Sequence, residues 1–148
     1  MKLRGFQMTM ALMVVGLFVL GVAQAYSKVT LRVEVPFRFY VDNKEMPAGQ
    51  YLVTRAGQGQ AMVIKQLDGP EFVYAIARPS DQIPAAEGSS LTFHKYGNSY
   101  FLSKVSSGDS QVSGSLGQSK REKMMANELA KGKGNEQQAV LKVTVPAE

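Results

Sequence analysis

His94 is the one histidine of the chain, and no cysteine accompanies it. An imidazole can serve as a general base or a metal ligand, but either role needs companions: a nucleophile and an orienting acid, or further ligands. Any such site here would have to rest on carboxylates. These are scattered, Glu34, Asp42, Glu45, Asp68, Glu71, Asp81, Glu87 and Asp109 among them, and no calcium-loop spacing connects them. A glycoside-hydrolase pair would need two acids about 5–9 Å apart across a cleft, so Glu34 or Glu71 could take part only if the fold brought another acid alongside. Neither a Gly-x-Ser-x-Gly elbow nor a phosphate-binding loop is present. The expectation is a protein that is not an enzyme, with no metal and no cofactor. His94 then hydrogen-bonds a strand or turn from the face it shares with Thr92 and Tyr96. A carboxylate-based hydrolase returns only if His94 lies beside an acid, or if two acids converge.

Two other sets of side chains could bind rather than react. The chain has six tyrosines, Tyr26, Tyr40, Tyr51, Tyr74, Tyr96 and Tyr100, and no tryptophan. Tyr96 and Tyr100 flank the turn at Gly97 and, with His94, could stack on a sugar or a partner chain. The plainer reading is a cross-strand aromatic pair, contributing about 0.2–1 kcal/mol to a hairpin. Between residues 120 and 133, Lys120, Arg121, Lys123, Lys131 and Lys133 outnumber Glu122 and Glu128 by three. That segment could touch an anionic lipid or acidic polymer in a salt-sensitive way. Its apolar stripe, Met125 and Leu129, is too thin for an interfacial helix.

The elements that would position these groups are mostly strands. Every odd residue from Val29 to Val41 is apolar, a period of two that puts one face in a core. Pro36 interrupts that run and cannot donate to a ladder, so an edge, bulge or bend is expected there, with the two halves serving different sheets. Asp42-Asn43 and Pro47-Ala48-Gly49 supply turn chemistry, and residues 29–55 read as strand–turn–strand. "QAMVIKQL" is a further apolar run. "EFVYAIAR" is apolar on both faces, which predicts a central strand buried on two sides. Residues 79–90 read as a loop. "LTFHKY" and "YFLSKV" around Gly97-Asn98-Ser99 predict a hairpin.

The Ser/Gly-rich stretch 106–118 reads as a flexible linker. Ser119 and Glu122 have capping-box spacing, in which hydroxyl and carboxylate each satisfy a backbone amide. A short helix is therefore expected over 119–131, lightly packed, with Gly132 at its end. A last strand, 138–145, would place Ala139, Leu141, Val143 and Val145 on one face. The expected fold is all-β: an antiparallel sandwich or small barrel of about seven strands with one short helix near the C-terminal end.

Ahead of this domain, Lys2 and Arg4 precede an uncharged run from Met8 to Val22 and then Ala23-Gln24-Ala25. That is the pattern of a signal peptide cleaved after Ala25, with an apolar run shorter than the roughly 20 residues that span a bilayer. The organisation expected is a signal peptide, 1–25, and a single β domain, 26–148, large enough for its own core. Removing Lys2 and Arg4 takes the formal charge from +5 to +3. No nucleic-acid motif or long basic block is present, so nucleic acid is not an expected partner. The mature chain would be periplasmic or extracellular, with no stable membrane span.

Two stretches also carry a likeness. "VPFRFYVDNKEMPAGQYLV" is similar to a Val-Pro-Phe-x-Phe-x-Val … Leu-Pro-Ala-Gly-x-Tyr pattern, with Met46 where Leu is usual. "LTFHKYGNSYFL" is similar to a Leu-x-Phe-His-x-Tyr-Gly-x-x-Tyr-Phe-Leu pattern. With "SKRE" at 119–122, the chain resembles a family of small exported bacterial β-proteins with no known activity. The resemblance implies a fold and no catalytic residues. The function expected is an exported, non-enzymatic module that interacts with a cell-envelope polymer or protein. The alternative is a small binding protein for an apolar or glycan ligand held inside a barrel or between sheets.

Overall fold

The computed structural model describes residues 30–57, 59–79, 88–108, 112–132 and 141–148. The expected signal segment, most of the 79–90 loop, Lys133 and the start of the expected last strand lie outside them. Among the described residues, ten strands and one helix follow in order: β1 (Thr30–Val35), β2 (Phe39–Val41), β3 (Lys44–Met46), β4 (Gly49–Arg55), β5 (Ala61–Gln66), β6 (Phe72–Arg78), β7 (Ser90–Tyr96), β8 (Ser99–Ser106), β9 (Gly114–Leu116), the helix α1 (Lys120–Gly132) and β10 (Leu141–Pro146).

The long alternating run does divide at Pro36. β1 pairs antiparallel with β4, from Thr30 opposite Thr54 to Val35 opposite Gly49. β2 pairs instead with β3 and, at Tyr40 opposite Phe101, with β8. Because apolar parity is the same on both sides of the bend, Leu31, Val33, Val35, Phe39 and Val41 all reach one core. The β2–β3 connection is the two-residue turn Asp42-Asn43, where Asp42 accepts a left-handed backbone at φ 54°.

The strands form one mixed sheet in the order β1-β4-β5-β6-β9-β8-β2-β3, with β7 and β10 continuing from the other edge of β8. This differs from the expected antiparallel sandwich or barrel of about seven strands. Three strands are only three residues long, too short to stand out as periodic runs. The β2–β8 pairing is parallel, and the sheet is not closed. It is strongly curled nonetheless: Phe39 on β2 meets Tyr51 on β4 at 5.2 Å between ring centroids, although the two strands are distant in the order. The chain end meets β1 at one isolated bridge, Val33 with Ala147, where Arg32 N–H donates to Glu148 O and Glu148 N–H to Arg32 O.

The hairpin of β7 and β8 turns at Gly97-Asn98, with Gly97 at φ 58° as its turn requires. The segment 106–118 departs from the linker expectation. Val112, Ser106 and Ser107 are buried, and β9 joins β6 to β8. Its serines hold structure: Ser107 N–H donates to Ser113 Oγ at 2.8 Å. Gly114 is required by contact, since a Cβ there would come within 2.8 Å of Ala77 Cβ and 3.0 Å of Arg78 O. β10 pairs with β7, Leu141 opposite Lys95 to Pro146 opposite Ser90. Val145 is buried but Leu141 is exposed at the strand's start.

Candidate functional site

The sheet's inner face is filled by Phe39, Tyr51, Phe93, Met46, Met62 and Ile64, each at most 1% exposed. Full burial of such side chains is worth about 1.5–3 kcal/mol each. Tyr51 donates its hydroxyl to Pro47 O. Burial first, and then the charge of Glu71, pushes its phenol up to about 12.

Strand parity sends the chemistry-bearing residues to the outer face. His94 lies opposite Phe101 on β8 and opposite Lys142 on β10, and Tyr96 stands two residues along β7. The helix α1 covers this region. Ser119 caps it, its Oγ accepting the Glu122 N–H at 3.1 Å. The Glu122 carboxylate does not complete the expected capping box. It turns onto the sheet, where Oε1 lies 2.8 Å from His94 Nδ1 and accepts the Tyr96 hydroxyl at 3.1 Å. Gln118 Nε2 donates to the same hydroxyl at 3.3 Å. Burial first, then Glu122's negative charge, raises the Tyr96 phenol above its ordinary value.

Glu122 is thus a carboxylate whose side chain is 4% exposed, held by two side-chain donors. A buried carboxylate is costly unless it is paired, so the helix docks where that pairing exists. Arg121 fastens the neighbouring edge. Its guanidinium lies 4.4 Å from the Tyr40 ring and donates to the Tyr40 hydroxyl at 3.2 Å. Tyr40 in turn donates to Glu45 at 3.0 Å and stacks on Phe101 at 5.1 Å. Burial raises the Tyr40 phenol, and its hydrogen bond to Glu45 acts in the same direction.

His94 and Tyr96 therefore come together, but Tyr100 does not join them. The two-residue turn sets Tyr96 opposite Ser99 and Tyr100 opposite Lys95, which sends Tyr100 to the inner face. There it stacks on Phe37 at 4.0 Å, with Lys95 Nζ 5.3 Å from its ring. The cross-strand Tyr96–Tyr100 pair does not form. Of the basic segment, Lys120, Lys123 and Lys131 are exposed on α1 and Arg121 is the docking residue just described. Met125 and Leu129 are half-buried. No cluster of three or more His, Asp or Glu arranged for a metal occurs among the described residues.

The second feature was not anticipated. β6 was expected to be buried on both faces, yet only Ala75 and Ala77 are buried. Phe72, Tyr74 and Ile76 are 50%, 64% and 74% exposed, in a row on the outer face. The small alanines face the core, so the large residues all point out. Within β6, only Ala77 and Arg78 pair with β9. Ala77 N–H donates to Gln60 O on the β5 side, so alternation directs the backbone groups of Tyr74 to the opposite, open side. A groove of about 360 Å³ runs there, lined by Asp42, Tyr74, Ala75, Ile76, Leu116, Gly117 and Gln118. At the start of β6, Lys44 Nζ donates to Phe72 O at 2.9 Å and pairs with Glu71 at 2.8 Å.

No protein-family model, curated protein or solved structure matches the chain.

Proposed function

We propose that the protein is an exported, non-enzymatic β-domain of the bacterial envelope or extracellular space, and that it binds a protein partner through an extended segment laid along β6. The observation that carries this reading is the row Phe72, Tyr74 and Ile76 beside backbone groups that no strand among the described residues covers. An apolar row beside Tyr74 backbone groups that no described strand pairs on the open side suits an added strand, whose backbone would pair and whose alternate side chains would pack. The signal-like segment at residues 1–25 and the likeness to small exported bacterial β-proteins support the placement. No helix among the described residues is long and apolar enough to cross a membrane.

His94 does lie beside an acid, the condition named for a hydrolase. Nucleophilic chemistry further needs a hydroxyl hydrogen-bonded to the other ring nitrogen. Ser103, which shares a groove with His94, directs its proton to Thr92 O at 3.0 Å. The imidazole and carboxylate bind a helix to a sheet, which favours the non-enzymatic reading. A ligand held inside the fold would have to displace Phe39, Tyr51 and Phe93 from the core.

The test is co-sedimentation of the purified protein with the producing cell's envelope fraction, intact or protease-treated, at low and high salt. The expected result is salt-resistant binding that protease treatment abolishes and the Tyr74→Lys/Ile76→Lys variant loses. Binding that salt removes and the variant retains would assign the contact to the exposed bases of α1. No binding in any arm would overturn the envelope-module reading.

A further inference from the structure

A second outer-face feature lies on the far side of His94 from Glu122. The register aligns β10, β7, β8 and β9 so that Lys142 stands opposite His94, Thr92 opposite Lys104, and Lys104 opposite Ser115. Between Thr92 and Phe93 the β7–β8 ladder shifts by one residue, leaving Ser103 as an unpaired bulge beside them. These six side chains line a pocket of about 220 Å³, which Leu116 completes.

The geometry points to this pocket as a binding site for a phosphate-type oxyanion. Lys104 and Lys142 bring two positive charges to it, and no carboxylate is among its described lining residues. Thr92 and Ser115 add hydroxyl donors. Ser103 has its proton on Thr92 O, so it supports the wall rather than the ligand. His94 has Nδ1 engaged by Glu122 at 2.8 Å, which leaves Nε2 as the ring nitrogen for a ligand. A carboxylate behind an imidazole fixes ring orientation, as second-shell partners do for ligating histidines.

The size of the pocket selects the ligand. At about 220 Å³ it falls below the ~300–1,000 Å³ that hold drug-sized molecules. It suits one tetrahedral anion with a few waters. That chemistry could reach the site as free phosphate, as a phosphodiester of an envelope polymer, or as a lipid headgroup. The site uses none of the bases of α1 and shares only Leu116 with the groove beside β6, so substitutions at Lys104 and Lys142 test it independently of the partner-binding reading.

The single histidine gives a direct readout, because its imidazole resonances belong to His94 without further assignment. Inorganic phosphate is titrated into the purified protein at constant pH, with chloride at matched ionic strength as the reference. The expected result is a saturable shift of the His94 ring resonances with phosphate alone. Binding should weaken more than about tenfold in Lys104→Gln/Lys142→Gln, because both charge-assisted hydrogen bonds to the anion are lost. The variant's unchanged circular dichroism would show that the fold survives. Parallel arms with glycerophosphoglycerol, a soluble phosphodiester, and with phosphatidylglycerol vesicles, followed by sedimentation, separate the sources. Saturation in one arm with loss in the double variant supports the site and names its source. A shift that chloride reproduces, or that the double variant retains, or no response in every arm, overturns it.

Discussion

The outer face of this sheet carries two apolar regions, and the chain treats them differently. Around Tyr40, Tyr96 and Phe101 it lays α1 across the strands, and Phe101 ends up 2% exposed. Over β6 no described element lies, and Ile76 remains 74% exposed. The covered region has polar anchors to receive a helix: the Tyr96 hydroxyl, His94 Nδ1 and the Tyr40 ring meet Glu122 and Arg121. The bare region has backbone groups at an open edge and a single lysine at one end. Covering by a helix needs side-chain partners, whereas covering by a strand needs only a free edge. The difference teaches what kind of neighbour each region can accept.

The largest effect that would separate the two is truncation of an aromatic in each. Phe101→Ala should cost about 3–5 kcal/mol in urea unfolding, the usual range for a buried phenylalanine. Phe72→Ala, at a half-exposed position, should cost well under half of that. Equal losses would mean that the β6 row is already covered in solution.

Alkaline unfolding sharpens the contrast with the core. Tyr51 holds its proton up to about pH 12 in the folded state, against about 10 for an ordinary phenol. Its folded value is raised, so its contribution to stability is complete below about pH 10 and falls as pH rises toward 12. In Tyr51→Phe, which has no ionisable proton, the stability loss across that window should shrink.

Next in size is the lock itself. Glu122→Leu removes the acceptor of two donors at once and should cost about 1–3 kcal/mol, with faster amide exchange across 120–132. Glu122→Gln keeps a carbonyl acceptor and should lose less. Ser119→Ala removes the cap that starts the helix and should cost about 1 kcal/mol. If Glu122→Leu left exchange in α1 unchanged, the helix would be held by Met125 and Leu129 instead, and the contrast between the regions would rest on apolar packing alone.

What could be read from the residues was local. The bend at Pro36, the Gly97-Asn98 hairpin and the helix after Ser119 each follow from a few neighbouring residues. Pairings over distance could not be read that way. Glu122 and His94 are 28 positions apart, and the capping-box spacing pointed the carboxylate at its own helix. A buried polar partner for a lone histidine was the one signal available, and it named no acid. β9 was hidden because Gly and Ser report flexibility by composition, while Gly114 is there for a close contact with Ala77. β6 misled for a related reason. Its alternation of large and small apolar residues looks doubly buried, and only packing shows that the small ones face in.

The smallest stability effect is also the most telling. Ile76→Ser removes a large apolar side chain from a position that is 74% exposed, so unfolding should move by no more than about 0.5 kcal/mol. The same substitution takes away an anchor that an added strand would pack against, so envelope binding should fall while the fold stays intact. A protein whose only role for Ile76 was structural would show the reverse, a loss of stability with binding unchanged. Measuring both quantities on this one variant, beside Phe101→Ala, therefore separates a surface completed within the chain from one completed by a partner.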